Sequence, residues 1–424
     1  MHVIMLSKKL LVLLVVLSVS SSLTSASLTV GFYKRTCPHA EAIVRSAVNK
    51  AISLNEGIAP ALIRMHFHDC FVRGCDGSVL LESTPGNPAE RDHPANNPSL
   101  RGFHVIEEAK AQIESLCPET VSCADILAFA ARDSAYKSGD INYAVPAGRR
   151  DGRVSISQEV TENLPAPTFN ADQLITNFAR KGLSADELVT LSGAHSIGVS
   201  HCSSFSNRLY TPLPQDPPMD SEFSSLLKTK CPSNVNGDGG FDPTVVIDAF
   251  TPKRLDNKYY KGLMKQRGLL SSDQALLSSE STSEMVVSNA KHGLHWSVKF
   301  AKAMVRMGSI DVLTGEQGEI RRHCSLVDFE FKAKFLFSVG SIYKTSPLMV
   351  MTSLRSEESK DDMRSGREKR LDEEENCRLV GVAKIDSIDD FLMNSFLTLP
   401  IECLADLNFC LILKKRSSSQ FEHC

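Results

Sequence analysis

The chain has 424 residues, with 47 Lys and Arg against 50 Asp and Glu for a formal net charge of -3, and 42% of it is hydrophobic. This is ordinary globular composition, which excludes a chain disordered throughout, and its length suits two or three domains or one large two-lobed one. The near-neutral balance supplies neither a basic field for nucleic acid nor an acidic surplus for a basic partner.

In chain order, the first element is Met1 to Lys9, an apolar run from Leu10 to Leu17, and the small triplet Thr24-Ser25-Ala26. This pattern predicts a secretory signal over residues 1–26, because the apolar run is far shorter than the ~20 residues that span a bilayer. The most hydrophobic later stretch, Phe391 to Leu413, is broken by Asn394, Pro400, Glu402 and Asp406, so the mature chain is expected to be soluble and free of membrane. Helical spacing of Ile43, Ala47, Val48 and Ile52 predicts a helix from Ala40 to about Ser53. Ala59 to Val72 repeats the pattern, with Pro60 suited to a first turn. Ser122 can cap a helix with Asp125 in its first turn, and Ser184-x-x-Glu187 is a capping box for a helix carrying Leu188, Leu191 and His195. Further helices fit Asp256 to Met264 and Trp296 to Met307. Long polar joints, Ser83 to Pro98 and Tyr210 to Asp220, separate them. Strand signals are few and short, so the fold class is mainly α-helical.

After about Asp328 the composition changes. Arg355 to Asn376 holds nine acidic and six basic residues in 22, a solvated or disordered pattern, and Ile385 to Leu413 is apolar without a motif.

An oxidising compartment favours disulfides among the twelve cysteines. Cys70 and Cys75 are the one pair that proximity suggests, and sequence leaves the rest unpaired. A zinc reading of His66, His68, Cys70 and Cys75 lacks a two-residue Cys spacing and a second half-site, and ranks below disulfides.

The most informative string runs Leu62-Ile63-Arg64-Met65-His66-Phe67-His68-Asp69-Cys70-Phe71-Val72-Arg73-Gly74-Cys75-Asp76-Gly77-Ser78. On a helix Arg64 and His68 share a face, where a cation and an imidazole can handle a peroxidic oxygen. For an isolated Arg-x-x-x-His, an ion pair beside a structural histidine is the better reading. The string, however, resembles the distal heme signature of the secreted plant (class III) heme peroxidases. Asp186 to Gly198, reading DELVTLSGAHSIG, resembles that family's proximal signature. Arg101-Gly102-Phe103, Val121-Ser122-Cys123-Ala124-Asp125-Ile126, Gly148-Arg149-Arg150-Asp151, Asn163-Leu164-Pro165-Ala166-Pro167 and Asp256-Asn257-Lys258-Tyr259-Tyr260 follow in family order. The resemblance spans about Ser27 to Asp328.

It implies a two-lobed heme peroxidase fold, with one heme b (iron protoporphyrin) between distal and proximal helices and two calcium ions. His195 would be the iron ligand, backed by Asp273. His68 would be base and then acid, with Arg64 stabilising developing charge, Asn96 and Glu90 fixing the His68 tautomer, and Phe67 shielding the iron. Pro165 would help form the donor site. One calcium would take Asp69, Asp76, Ser78, the carbonyls of Val72 and Gly74, and Glu90 through water. The other would take Ser196, Asp248, Thr251, the Arg254 carbonyl and Asp256. The implied disulfides are Cys37–Cys117, Cys70–Cys75, Cys123–Cys324 and Cys202–Cys231.

The expected activity is reduction of hydrogen peroxide to water with one-electron oxidation of phenolic donors, by a secreted monomer at the cell wall. The rival readings are a wall-binding or structural protein on the same fold and a calcium-dependent interaction module. Two departures stand out. No Asn-x-Ser/Thr sequon occurs except one blocked by Pro98. Residues 329–424 extend beyond the family pattern, either as a gene-model artefact or as a vacuolar-type or partner-binding extension.

Overall fold

The computed structural model describes residues 27–212, 216–234 and 242–328. The expected signal sequence, the charged segment and the apolar stretch near the C-terminus lie outside these. Helices dominate. α1 (Ala40–Leu54), α2 (Ile58–Val72), α3 (Phe103–Glu114) and α4 (Cys123–Gly139) form the first half. α5 (Ser157–Asn163), α6 (Ala171–Arg180), α7 (Ala185–Ser192), α8 (Ser206–Tyr210), α9 (Ser221–Lys230), α10 (Lys258–Leu263), α11 (Ser271–Ala275), α12 (Glu280–Lys291) and α13 (Gly293–Met307) follow. Four short strands, β1 (Thr29–Val30), β2 (Pro146–Ala147), β3 (Val199–His201) and β4 (Thr244–Val246), pair antiparallel as β1 with β2 and β3 with β4.

Two main hydrophobic cores make the two lobes. The first joins Val44 and Val48 of α1 to Ile106 of α3 and Ile126 and Phe129 of α4. The second joins Leu188 of α7, Tyr260 of α10, Val286 of α12 and Trp296 and Phe300 of α13. α2 belongs to both, giving Leu62 and Met65 to the first core and Ile63 and Phe71 to the second. Buried on nearly every side, it carries little helical amphipathicity, and only its polar residues signal what it does. A smaller third core gathers Phe205, Leu209, Phe223 and Leu227 around Cys202 and Cys231.

Several helix starts follow local chemistry. The Ser122 side chain accepts the Asp125 N–H, and Ser184 with Glu187 forms a reciprocal capping box at α7. Three expectations are corrected. α7 ends at Ser192, and His195 instead sits in a tight 3-10 turn, Gly193–Ser196. α10 begins at Lys258 rather than Asp256, because the Asp256 carboxylate accepts the Lys258 N–H and so stands outside the helix. α13 begins three residues earlier than expected, at Gly293. The polar joint from Ser83 to Pro98 contains a short turn, Glu90–Asp92, which bears on the site below.

The four disulfides join Cys37 to Cys117, Cys70 to Cys75, Cys123 to Cys324 and Cys202 to Cys231. Cys123–Cys324 closes the longest loop, with a sequence separation of 201 against 5 for Cys70–Cys75. Chain-entropy reasoning assigns about 5 kcal/mol to the former and about 2 to the latter. The double variant Cys123→Ala/Cys324→Ala is expected to lose more thermal stability than Cys70→Ala/Cys75→Ala, and equal melting temperatures would refute this ranking. Asp151 secures the same region. Its buried carboxylate accepts the N–H groups of Cys123, Ala124 and Arg321 and so ties the start of α4 to the chain near Cys324.

Candidate active site

On α2, His68 is 5% exposed and its Nδ1 lies 2.6 Å from Asn96 Oδ1. Asn96 donates its Nδ2–H to the Glu90 backbone carbonyl at 2.7 Å. A carbonyl can only accept, so the amide orientation is fixed, and Asn96 must present its oxygen to His68. His68 therefore carries its proton on Nδ1 and leaves a lone pair on Nε2. Burial, and then the Arg64 charge, hold the imidazole well below its usual range despite the Asn96 bond, so it is neutral at ordinary pH. Glu90 thus supports Asn96, but through its main chain and not its carboxylate.

Arg64, one turn before His68, donates to Ser99 Oγ at 3.0 Å and to the Ala95 carbonyl at 2.9 Å. Burial and the nearby Arg101 lower its guanidinium to about 10, which leaves it charged at neutral pH. Phe67 is half-buried, 5.5 Å from the His68 ring and 4.4 Å from Phe71.

In the turn after α7, His195 Nδ1 lies 2.7 Å from Asp273 Oδ1. The same carboxylate accepts from the Tyr259 hydroxyl at 2.9 Å and the Leu270 N–H at 3.1 Å. These bonds and the His195 charge hold Asp273 below the usual carboxylate range although burial works the other way. Burial works downward on His195, but the Asp273 charge and hydrogen bond prevail and raise it. With an anion on Nδ1, the His195 lone pair is on Nε2, which has no hydrogen bond among the described residues. The His195 side chain is 40% exposed while Asp273 behind it is 2% exposed, so the ring has an open side and a fixed side. The Arg64 charge also acts on His195, which puts the α2 residues and this turn within electrostatic reach of one another. An imidazole free at Nε2 and backed by a buried carboxylate suits a transition-metal ligand, and the residues present fit heme iron.

Pro165 follows α5 in a half-buried loop. Asn177 Nδ2 donates to the Asn163 carbonyl at 2.9 Å, and the Ser272 N–H donates to the Pro167 carbonyl at 2.9 Å, one residue from Asp273.

Two oxygen-rich clusters adjoin the histidines. Asp69, Asp76, Ser78 and Glu90 are all buried. Asp69 accepts the N–H groups of Gly77 and Val79, and Asp76 accepts that of Ser78. Neither carboxylate oxygen of Glu90 nor the Ser78 hydroxyl has a hydrogen bond. Burial, and then repulsion from Asp76, push Asp69 well up, while burial, and then Asp69, do the same to Glu90. Three buried acids, with the Glu90 carboxylate and the Ser78 hydroxyl unpartnered, fit a hard divalent cation such as calcium. The Gly74 carbonyl accepts the Asp76 N–H, and the Val72 carbonyl accepts from Lys181 Nζ at 3.2 Å, leaving each a second lone pair. Gly77 has φ +70, and a Cβ there would lie 2.6 Å from Arg321 Nη2, so this turn suits glycine alone.

In the second cluster the Thr251 hydroxyl is 3.1 Å from Asp248 Oδ2 and 3.0 Å from Asp256 Oδ1. It has one proton for two carboxylates. Ser196 Oγ accepts the Asp256 N–H at 3.1 Å, while Arg254 joins through its own N–H to the Thr251 carbonyl. This group also fits a hard cation. No described contact ties the Arg254 carbonyl to it.

Among the described residues the one compact His and Cys group is His66, Cys70 and Cys75. Both sulfurs are spent in a disulfide, so no thiolate is offered to zinc. His66 is buried, and burial, and then Arg149, lower it to about 3. Sequence reasoning missed Tyr259, the third support of Asp273, although it stood within a quoted string.

Comparison with known proteins shows the family. The profile of the family described as Peroxidase matches residues 44–292. Peroxidase 5 of Vitis vinifera is 53% identical over 306 residues, covering 72% of this chain and 92% of that protein. Peroxidase 1 of Zea mays is 49% identical over 310 residues, covering 72% and 84%. Peroxidase 3 of Arabidopsis thaliana is 49% identical over 313 residues, covering 72% and 93%. The chain therefore belongs to the peroxidase family, with the plant class III members, and is a peroxidase enzyme.

Proposed function

We propose that this peroxidase holds one heme b on His195 and reduces hydrogen peroxide to water while oxidising small phenolic donors one electron at a time. The observation that carries this reading is the hydrogen-bond chain from the Glu90 carbonyl through Asn96 to His68, which leaves His68 Nε2 as a neutral base. Heme held on His195 would supply an iron that can accept peroxide and the two electrons that reduce it, which donors return one at a time.

His68 Nε2 takes a proton from the incoming peroxide and returns it to the oxygen that departs as water. Arg64, charged and tied to Ser99 and Ala95, stabilises negative charge as the O–O bond breaks. Asp273 keeps the His195 proton on Nδ1 and makes the ligand electron-rich. Phe67 restricts access on the His68 side, and donors approach near Pro165. The reading includes export to the extracellular space or cell wall through residues 1–26, with cell-wall phenolics and an oxidative-stress role as its physiological setting. A vacuolar destination is the alternative if residues 329–424 carry a sorting signal. Residues 27–328 form the peroxidase domain in this reading, and the protein acts as a monomer. No helix among the described residues is long and apolar enough to cross a membrane.

The test is the absorption spectrum of the heme-loaded protein before and after one equivalent of peroxide. A Soret band that falls and returns on adding a phenol supports the enzyme reading. Heme uptake with no response to peroxide favours a wall-binding or structural role.

Calcium has its own expected result. A ligand that binds only the folded state at about a hundred times its Kd stabilises by about 2.7 kcal/mol. Chelation is thus expected to lower the melting temperature, and added calcium to restore it. A chelator-insensitive melting temperature would count against both ion sites.

A further inference from the structure

Behind His195 a line of aromatic rings runs into the second core. The His195 and Tyr259 ring centroids are 6.2 Å apart, Tyr259 and Tyr260 5.0 Å, and Tyr260 and Trp296 6.0 Å, all edge-to-face. Phe300 continues the line at 5.4 Å. Trp296 is the only tryptophan of the chain and is 1% exposed. The packing is made possible by Gly193, two residues before His195. A Cβ there would lie 2.6 Å from the Tyr260 hydroxyl and 2.7 Å from Trp296 Cζ2.

We propose that Trp296 is an internal one-electron donor to the peroxide-oxidised cofactor, connected to His195 through the rings of Tyr260 and Tyr259. This inference rests on His195 as the heme ligand. Electron tunnelling falls steeply with distance, and each step in this line is a ring-to-ring contact within the usual range of aromatic pairs. The line ends at Trp296 because the phenyl ring of Phe300 is much harder to oxidise than an indole.

Between the two inner rings, Tyr260 and Trp296, proton chemistry also favours the indole. The Tyr260 hydroxyl donates only to the carbonyls of Val189 and Thr190, which cannot take up its proton. An indole loses an electron without losing its proton, and the Trp296 N–H stays on the Thr190 carbonyl at 3.2 Å. That oxygen, accepting the indole N–H, stabilises the positive charge left on the ring. The step balances simply. One electron passes from the indole to the oxidised cofactor, no bond breaks, and a phenolic donor later returns the electron. Such a reserve reduces the cofactor when no donor is present and keeps the hole in a site closed to water.

The test uses the full heme-loaded chain, whose visible spectrum must first respond to peroxide. Failure of the heme reading is then seen in that spectrum and not in the radical measurement. Protein grown on ring-deuterated tryptophan is mixed with one equivalent of peroxide without donor, frozen and examined by electron paramagnetic resonance. A single tryptophan makes the label unambiguous and leaves folding untouched. The expected result is an organic radical signal narrowed by the label, lost in Trp296→Phe, with slower donor-free return of the cofactor in that variant. A signal indifferent to the label, a tyrosyl signal retained in Trp296→Phe, or no organic radical with unchanged donor-free decay would overturn the proposal.

Discussion

Replacing His68 with leucine is expected to leave heme bound and to slow the peroxide step by about 10²–10⁴, the usual worth of a positioned proton acceptor. Leucine keeps the volume but removes Nε2, the one lone pair that the Glu90–Asn96 chain prepares. Stopped-flow mixing with peroxide reads the step directly, and a wild-type rate in His68→Leu would sink the assignment. The pH profile adds a second check with a definite sign. A base must be neutral, and burial, and then Arg64, hold His68 well below its ordinary value. The rate should therefore persist as the pH falls below about 6.5, the value for an unperturbed imidazole. Arg64→Leu removes one of the charges that lower His68, so the acid limb should move to higher pH in that variant. A limb that stays in place would separate Arg64 from the His68 titration.

The parts of this arrangement that were readable in the sequence are those written in local chemistry. Ser122 and the Ser184/Glu187 pair cap their helices through neighbours three residues away, and both are visible in a string of letters. Asn170 and Gln173 form the same reciprocal box at α6, an equally legible local signal. The turn holding His195 was not legible, because Leu188, Leu191 and His195 continue a helical spacing. What accompanies the end of α7 is the approach of Tyr260 and Trp296 to Gly193, residues that are distant in sequence. The support of Asn96 by the Glu90 carbonyl was hidden for a different reason. Sequence displays side chains, and this bond is made by main chain in a short turn within an apparently irregular joint. The buried charges Lys110, Arg149 and Arg321 also gave no sign of burial, since each is satisfied by carbonyls or acids brought in by folding.

The proximal side carries the other large expected effect. His195→Ala removes the imidazole that is open at Nε2 and backed at Nδ1 by the buried Asp273 carboxylate, and the variant is expected to lose heme during purification or to hold it with an altered spectrum. An unchanged ferric spectrum would refute His195 as the ligand. Asp273→Asn is subtler and more informative. An amide is nearly the size of the carboxylate, so the buried space stays filled, but it is neutral and has one acceptor oxygen for the three donors His195, Tyr259 and Leu270. Loss of such outer support typically costs about 10–100-fold in metal affinity or activity. The ligand should also donate less electron density, so the reduction potential of the bound iron should rise. Spectroelectrochemistry separates the two possible roles of Asp273. A raised potential with heme retained identifies it as an electrostatic partner of His195, whereas heme loss at an unchanged potential in the remaining holoprotein identifies it as a positioning residue alone.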